Sequence, residues 1–242
     1  MNIIIPIAGG APSQPQQPTQ YIRGLQEIRR KTILQYVMET LQNVPADSCN
    51  VIIRRRDAVT YHLDNIIQLL RPGARIVYAE GDTMGAACSC MLAIDHVDPE
   101  EPLLIANGDQ VLTVDPQIIL QSFVERGLDG GAAIFDDIHP RWSYVKLDEN
   151  DLVIEAAEKR PLSRNAVAGL YYYRKARFFF EAAQDMIAKG AHVNGKYYVC
   201  PVFNEMILRN LRIGVYRIRK DQFYHLGHDS GVEAYEEYLE NH

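Results

Sequence analysis

The sequence predicts an α/β fold, a doubly wound and mostly parallel sheet with a small antiparallel addition, and three features point to it. Short apolar runs of strand length alternate through the first half with stretches whose apolar residues recur at helical spacing. The run Leu103–Ala106 is apolar without a break, as a parallel strand covered on both faces should be. After His139 the style changes to short strands of alternating polarity, "WSYVKL", "LVIEAAE" and "GLYYYR", which suit antiparallel pairing.

Taken in order, residues 2–8 read as a first strand that ends at Gly9 and Gly10. Residues 31–42 form a helix on the stripe Ile33, Leu34, Val37, Met38 and Leu41. A short strand at 51–53 precedes a helix at 58–70, which Pro72 and Gly73 stop. Residues 76–79 give a third strand, 84–95 a helix and 103–106 a fourth strand. A helix over 116–125 and a strand over 132–135 complete this half, with right-handed crossovers between parallel strands. The three short strands follow, then helices at 178–188 and 201–210, a strand at 213–218 and a final helix.

Composition narrows the function. The 242 residues suffice for one well-buried core, and 47% hydrophobic with 23% charged content is ordinary for a globular protein. A net charge of −6 argues against broad binding to nucleic acid or anionic membrane. The apolar start "NIIIPIAGG" is short, has no basic residues before it and breaks at glycine, so a strand is expected there rather than a signal peptide or membrane span. A cytoplasmic location is expected, which the four cysteines fit. Cys88 and Cys90, one residue apart on a helix, face different ways and read as small buried residues, not a zinc pair. Arg54, Arg55 and Arg56 read as solvated charges, with a place on the ligand-binding rim as the alternative. His139, His225 and His228 read as loop residues, since none has metal-ligand spacing with a nearby cysteine.

Open α/β sheets bind ligands beyond the carboxyl ends of their strands, so the Gly9–Gly10 loop and the Gly108–Asp109 turn should share one rim. An aspartate there can hold Mg²⁺ beside substrate phosphates, and turn formation is an equally open role. For Gly9 and Gly10 a plain turn competes with close approach to a phosphate or base.

Together these stretches resemble the nucleotidyltransferases that activate phosphorylated sugars and small alcohols of the phosphocholine type, a family with a Rossmann-like sheet. The resemblance covers nearly the whole chain. It rests on "IIIPIAGG" for the first strand and glycine loop, "YIRGLQEIRRKTILQYVMETL" for the lysine-proline-leucine segment and its helix, and "EGDTMGAACSC" for the base-binding stretch. "ANGDQ" stands at the metal-aspartate strand end, and "EAAEKRPLSRNAVAGLYYYRKA" is the most specific match. The resemblance implies one domain over residues 1–242, with a nucleotide-binding half (1–138) and an acceptor-binding half (139–242). It implies attack by an acceptor phosphate on the α-phosphorus of a nucleoside triphosphate, with pyrophosphate expelled and Mg²⁺ as cofactor. Such products are precursors of surface polysaccharides. Family members often self-associate, although no exposed stripe identifies an interface.

Residue by residue, the resemblance implies that Ala8, Gly9, Gly10, Gly85, Asn107 and Gly108 bind nucleotide, and that Asp109 holds the metal. Asp229 in "HLGHDSGVEAY" is the candidate second carboxylate, with helix capping as its alternative. Glu158 would accept hydrogen bonds from acceptor hydroxyls and Lys159 would hold the acceptor phosphate, with a surface ion pair as the lesser alternative. Asn165, Gly169, Tyr171 and Lys196 would complete the acceptor pocket, while Tyr171 and Tyr173 equally suit core packing on one strand face. Trp142 with those tyrosines would suit a quaternary ammonium by cation–π attraction, or would pack beside the small sheet.

Three positions depart from the family pattern. Where its first loop carries an arginine, this chain has Ser13 or Gln14; Arg23 replaces the loop lysine; and Asn194, with Lys196 two residues on, replaces a later arginine. These losses keep a catalytically weak, nucleotide-sugar-binding or regulatory role open beside the enzyme. A glycosyltransferase ranks lower, since Asp136 and Asp137 are adjacent rather than spaced by one residue.

Overall fold

The computed structural model describes residues 1–8 and 22–242, so Gly9, Gly10, Ser13 and Gln14 lie outside the described residues. The alternating half contains β1 (Asn2–Pro6), the two-residue strands β2 (Glu27–Ile28) and β3 (Lys31–Thr32), α1 (Ile33–Thr40), β4 (Ser48–Arg54), α2 (Arg55–Tyr61), α3 (Leu63–Leu70) and β5 (Arg75–Ala79). It continues with α4 (Ala86–Met91), β6 (Leu103–Ala106), β7 (Gln110–Leu112), α5 (Pro116–Glu125) and β8 (Gly130–Asp136). The remainder is β9 (Ser143–Leu147), β10 (Val153–Glu158), β11 (Asn165–Tyr173), α6 (Ala176–Ala188), α7 (Val202–Leu208), β12 (Ile213–Arg217), β13 (Phe223–His225) and α8 (Asp229–Asn241).

Local chemistry sets several of these boundaries. The Thr32 hydroxyl accepts a hydrogen bond from the Gln35 amide to start α1, and the Asp115 carboxylate does the same for Gln117 ahead of Pro116 in α5. The single helix expected over 58–70 is two. His62 takes a left-handed φ of +52°, its amide closes α2 on Ala58, and α3 restarts with Leu63 and Ile67 buried. The helix expected over 84–95 is the shorter α4 followed by one tight turn at Ile94–His96.

Strands β5, β4, β1 and β6 lie side by side in parallel. Next to β6 comes antiparallel β11, then β8 antiparallel to β11, then β12 parallel to β8. β9 and β10 form a hairpin that joins the sheet where Tyr144 faces Ala166. The result is a mixed, mostly parallel nine-stranded sheet of the doubly wound kind, with residues from both halves of the chain in it. Two further two-stranded sheets, β2–β3 and β7–β13, stand beside it.

Alternation along the strands divides the core into two faces. Ile4, Ile52, Leu103 and Ile105 pack with Cys90, Phe179 and Phe203 of α4, α6 and α7. Ile3, Ile5, Val51, Ile53 and Leu104 pack with Leu34, Ile67, Ile119 and Phe123 of α1, α3 and α5. A smaller cluster of Ile33, Tyr36, Val111, Tyr224, Leu226, Val232 and Tyr235 ties α8 and the β7–β13 pair to α1. The arginine triplet is not uniformly solvated. Arg54 is buried and ion-paired to Asp57 at 2.7 Å, while Arg55 meets Glu80 and Arg56 lies near Asp82. Cys88 and Cys90 are free thiols on α4, Cys90 fully buried.

Candidate active site

The carboxyl ends of β1 and β6 lie next to each other, since Ile4 pairs with Ile105. Beyond β6 the chain turns at Gly108, passing so close to the end of β1 that a Cβ there would lie 2.8 Å from Ile7. Asp109 follows, half-exposed on the rim. Its backbone oxygen accepts a 2.7 Å hydrogen bond from Leu226, and its Oδ2 lies 3.3 Å from His225 Nε2. Both contacts exist because β7, which starts at the next residue, pairs with β13 so that Gln110 faces His225. The sequence reading put His225 in a loop, whereas it is the last residue of β13, and its place beside Asp109 was not foreseen. The only signal was its place in "HLGH", in the region searched for a second carboxylate.

Around this pair stand further polar groups. His225 and His228 have ring centroids 5.1 Å apart. Burial, His225 and Arg141 push the His228 imidazole below its ordinary value, with Asp109 opposing and Arg23 adding to the fall. Arg141 lies over the Trp142 ring at 4.5 Å and has no carboxylate partner among the described residues. Arg23 donates from Nε to the Leu226 carbonyl and from Nη1 to Asp229, both at 2.8 Å. Its Nη2 is buried without a partner among the described residues. Asp229 is therefore the first residue of α8, 85% exposed and engaged by Arg23; His228, not Asp229, stands at the helix cap. Among the described residues no three His, Cys, Asp or Glu side chains group closely enough to hold a metal ion.

The acceptor candidates gather around the ends of β10 and β11. Gly169 takes a left-handed φ of +67° at a bulge in β11, and its carbonyl accepts from the Asn107 amide at 3.0 Å. The Gln110 side chain lies across it, so that a Cβ at Gly169 would fall 1.6 Å from Gln110 Oε1 and 2.7 Å from Asn107 Nδ2. Gln110 Oε1 is buried and has no partner among the described residues. This residue too was missed.

Glu158 ends β10, buried, with its carboxylate accepting from the Ser143 hydroxyl. Burial pushes its carboxyl above the usual range, with Ser143 and Lys159 opposing. Lys159 turns the chain with a φ of +55° and donates from Nζ to the Tyr198 phenol at 3.0 Å, the main cause that raises its own ammonium. No ion pair joins Glu158 to Lys159, so the surface-pair reading does not hold. Both residues line a cleft of about 630 Å³ with His192, Val193 and Asn194. Lys196 is exposed on the following turn, whose next residue, Tyr197, bonds to Met84 and Ala87 on either side of Gly85. Ala8 is buried just beyond β1.

Some expected neighbours are not brought together. Tyr171 is buried in the core against Phe203, because β11 is covered on both faces, so it forms no open pocket wall. Burial pushes its phenol well above the ordinary value, with Cys200 and Glu158 adding to the rise. Asn165 spends its amide on Val145 and Arg217 rather than facing Lys159. Trp142 packs with Phe135, Phe223 and His225 on the face opposite Tyr171 and Tyr173, so those three rings form no cage for a quaternary ammonium.

A strand-end carboxylate, a strand with a glycine at its bulge and a lysine at the end of the β9–β10 hairpin are the features expected of nucleotidyl transfer. Comparison with known proteins bears on the family directly. A family model described as nucleotidyl transferase matches residues 20–205. Among curated proteins none matches the sequence significantly. The crystal structure of a nucleoside-diphosphate-sugar pyrophosphorylase from Vibrio cholerae RC9 is 23% identical, with a TM-score of 0.77 over 98% of this chain and 99% of that one. A UDP-glucose pyrophosphorylase complexed with UDP-glucose is 15% identical, with a TM-score of 0.77 over 100% of this chain and 99% of that one. At such identities the two likenesses speak for the fold, and the family match carries the class. The chain belongs to the nucleotidyl transferase family and is an enzyme of that class.

Proposed function

We propose that this nucleotidyltransferase moves a nucleoside monophosphate from a nucleoside triphosphate onto a small phosphorylated acceptor, most simply a sugar 1-phosphate, and releases pyrophosphate. The product would be an activated sugar of the kind that feeds surface polysaccharide synthesis, made in the cytoplasm where nucleoside triphosphates are abundant. The carrying observation is that Asp109 stands on the same rim as Gly169, next to Gln110, which lies across that glycine. Names of structural relatives, a nucleoside-diphosphate-sugar pyrophosphorylase and a UDP-glucose pyrophosphorylase, favour a sugar acceptor.

Two polyanions must meet, so the chain's task is chiefly charge neutralisation and alignment. A divalent cation fits at Asp109, whose carboxylate is half-exposed at a strand end; such an ion offsets repulsion between phosphates. Arg23 is largely spent on Leu226 and Asp229, whereas Arg141, beside Trp142 and without a carboxylate partner among the described residues, is available to phosphate oxygens. On the acceptor side, Lys159 is held by Tyr198 where its charge can meet a phosphate, and Gln110 Oε1 can accept from a hydroxyl. Gly85 at the start of α4 and Asn107 at the end of β6 line the nucleotide side in this reading.

The test is pyrophosphate release with Mg²⁺ or Mn²⁺ across CTP, UTP, GTP, ATP and dTTP, each against sugar 1-phosphates and phosphocholine. One matched pair is expected to react. Silence with every pair, while a nucleotide still binds by calorimetry, would replace transfer with a binding role. Lys159→Ala should raise the acceptor KM by about tenfold or more, the scale of one lost charged contact, and leave the nucleotide KM within a factor of two or so. Steady-state kinetics with each substrate varied in turn checks this, and the reverse pattern would move Lys159 to the nucleotide side.

A further inference from the structure

We infer that the divalent-cation site of this chain pairs Asp109 with His225 rather than with a second carboxylate, and so favours a first-row transition ion such as Mn²⁺ over Mg²⁺. The inference rests on the nucleotidyltransferase reading, which supplies the phosphates that would share the ion.

Geometry is the first support. Asp109 Oδ2 and His225 Nε2 are 3.3 Å apart. An ion about 2.1 Å from each atom would subtend an angle of about 100°, between the octahedral and tetrahedral values. Rigidity is the second. His225 faces Gln110 across the β7–β13 ladder, and Leu226 donates to the Asp109 carbonyl, so the two donors belong to one hydrogen-bonded unit. Space is the third. At Gly227 a Cβ would lie 2.6 Å from His225 Cε1 and 3.0 Å from Asp109 Oδ2, so any larger residue would intrude on both donors.

Asp229 offers no rival of the same quality. It is 85% exposed, and Arg23 holds its carboxylate at 2.8 Å. Two protein donors leave the other coordination positions to phosphate oxygens and water, as suits an ion shared with substrate. Mg²⁺ prefers oxygen donors throughout, whereas an imidazole nitrogen is better matched by first-row transition ions, among which Mn²⁺ binds most weakly and still takes carboxylate and phosphate oxygens well.

Pulsed electron paramagnetic resonance on the whole protein with Mn²⁺ and pyrophosphate tests this, because pyrophosphate carries no nitrogen. The unmodified protein should show modulation from one directly bound imidazole nitrogen. That signal should vanish in His225→Gln and persist in His228→Gln and Asp229→Asn. By titration, Mn²⁺ affinity should fall roughly 10- to 100-fold or more in His225→Gln, since even outer partners of metal ligands carry that much. Absence of nitrogen modulation in the unmodified protein with Mn²⁺ bound would overturn the inference, whatever the folding of any variant. So would a loss of Mn²⁺ affinity in Asp229→Asn with none in His225→Gln. Unchanged Mn²⁺ affinity in Asp109→Asn would remove the metal role of Asp109 and the inference with it, while pyrophosphate release, measured separately, would still report on nucleotidyl transfer.

Discussion

Asp109→Asn should leave the protein folded and lower turnover by about a hundred- to a thousandfold, the range seen when one preorganised electrostatic group is removed from a transition state. The swap is nearly isosteric. The hydrogen bond that Leu226 makes to Asp109 uses the backbone carbonyl and survives it. The side chain is 46% exposed, so its contact with His225 contributes little to stability, and melting should shift by no more than the equivalent of about 1 kcal/mol. What disappears is the negative charge on the rim. Pyrophosphate release measured beside a thermal melt separates the two effects. Turnover within tenfold of the unmodified enzyme would show that the reaction does not pass through this carboxylate.

The second large effect is expected at Gly169. An alanine there must hold a φ of +67°, which costs about 1–2 kcal/mol for a residue with a Cβ. Its methyl group would also collide with the Gln110 amide at 1.6 Å and the Asn107 amide at 2.7 Å. Those side chains must shift to make room, and Gln110 is the one proposed to meet the acceptor. Gly169→Ala should therefore destabilise the fold by about 2 kcal/mol or more and raise the acceptor KM at the same time. Combining it with Gln110→Ala relieves the closest collision but not the contact with Asn107 or the backbone strain. The double variant should then be more stable than Gly169→Ala alone, the coupling expected of residues in contact. If denaturant unfolding shows simple additivity, the amide does not lie over the glycine.

The parallel half was legible because its strands are continuous apolar runs and its helices carry clear stripes; α5 was read to the residue. The strand-end location of Asp109 followed from the same pattern. The β7–β13 pair was not legible. Three residues such as "QVL" or "FYH" are too few for a period to show, and their partnership joins distant segments. His225 and Gln110 were missed for that reason. Glu158 and Lys159 were found as a motif, but Ser143 and Tyr198, which hold them, arrive from other elements. Tyr171 was placed in a pocket by the resemblance, while strand alternation equally allowed the core packing that is found. β11 is an interior strand, with β6 and β8 on either side, and its tyrosines are core residues.

The clasp between Asp109 and the segment around Leu226 has a consequence for how the enzyme comes into being. Arg23 and Leu226 touch across 203 positions of sequence. The parallel strands β1, β4 and β5 all lie before residue 80 and can pair while the chain is still emerging from the ribosome. The rim around Asp109 cannot form until Phe223–His225 has been made and has found β7. Long-range closures of this kind come late and slowly in folding. A nascent chain would thus carry most of its sheet before it carries any catalytic power, and the active site would be among the last parts of the molecule to exist.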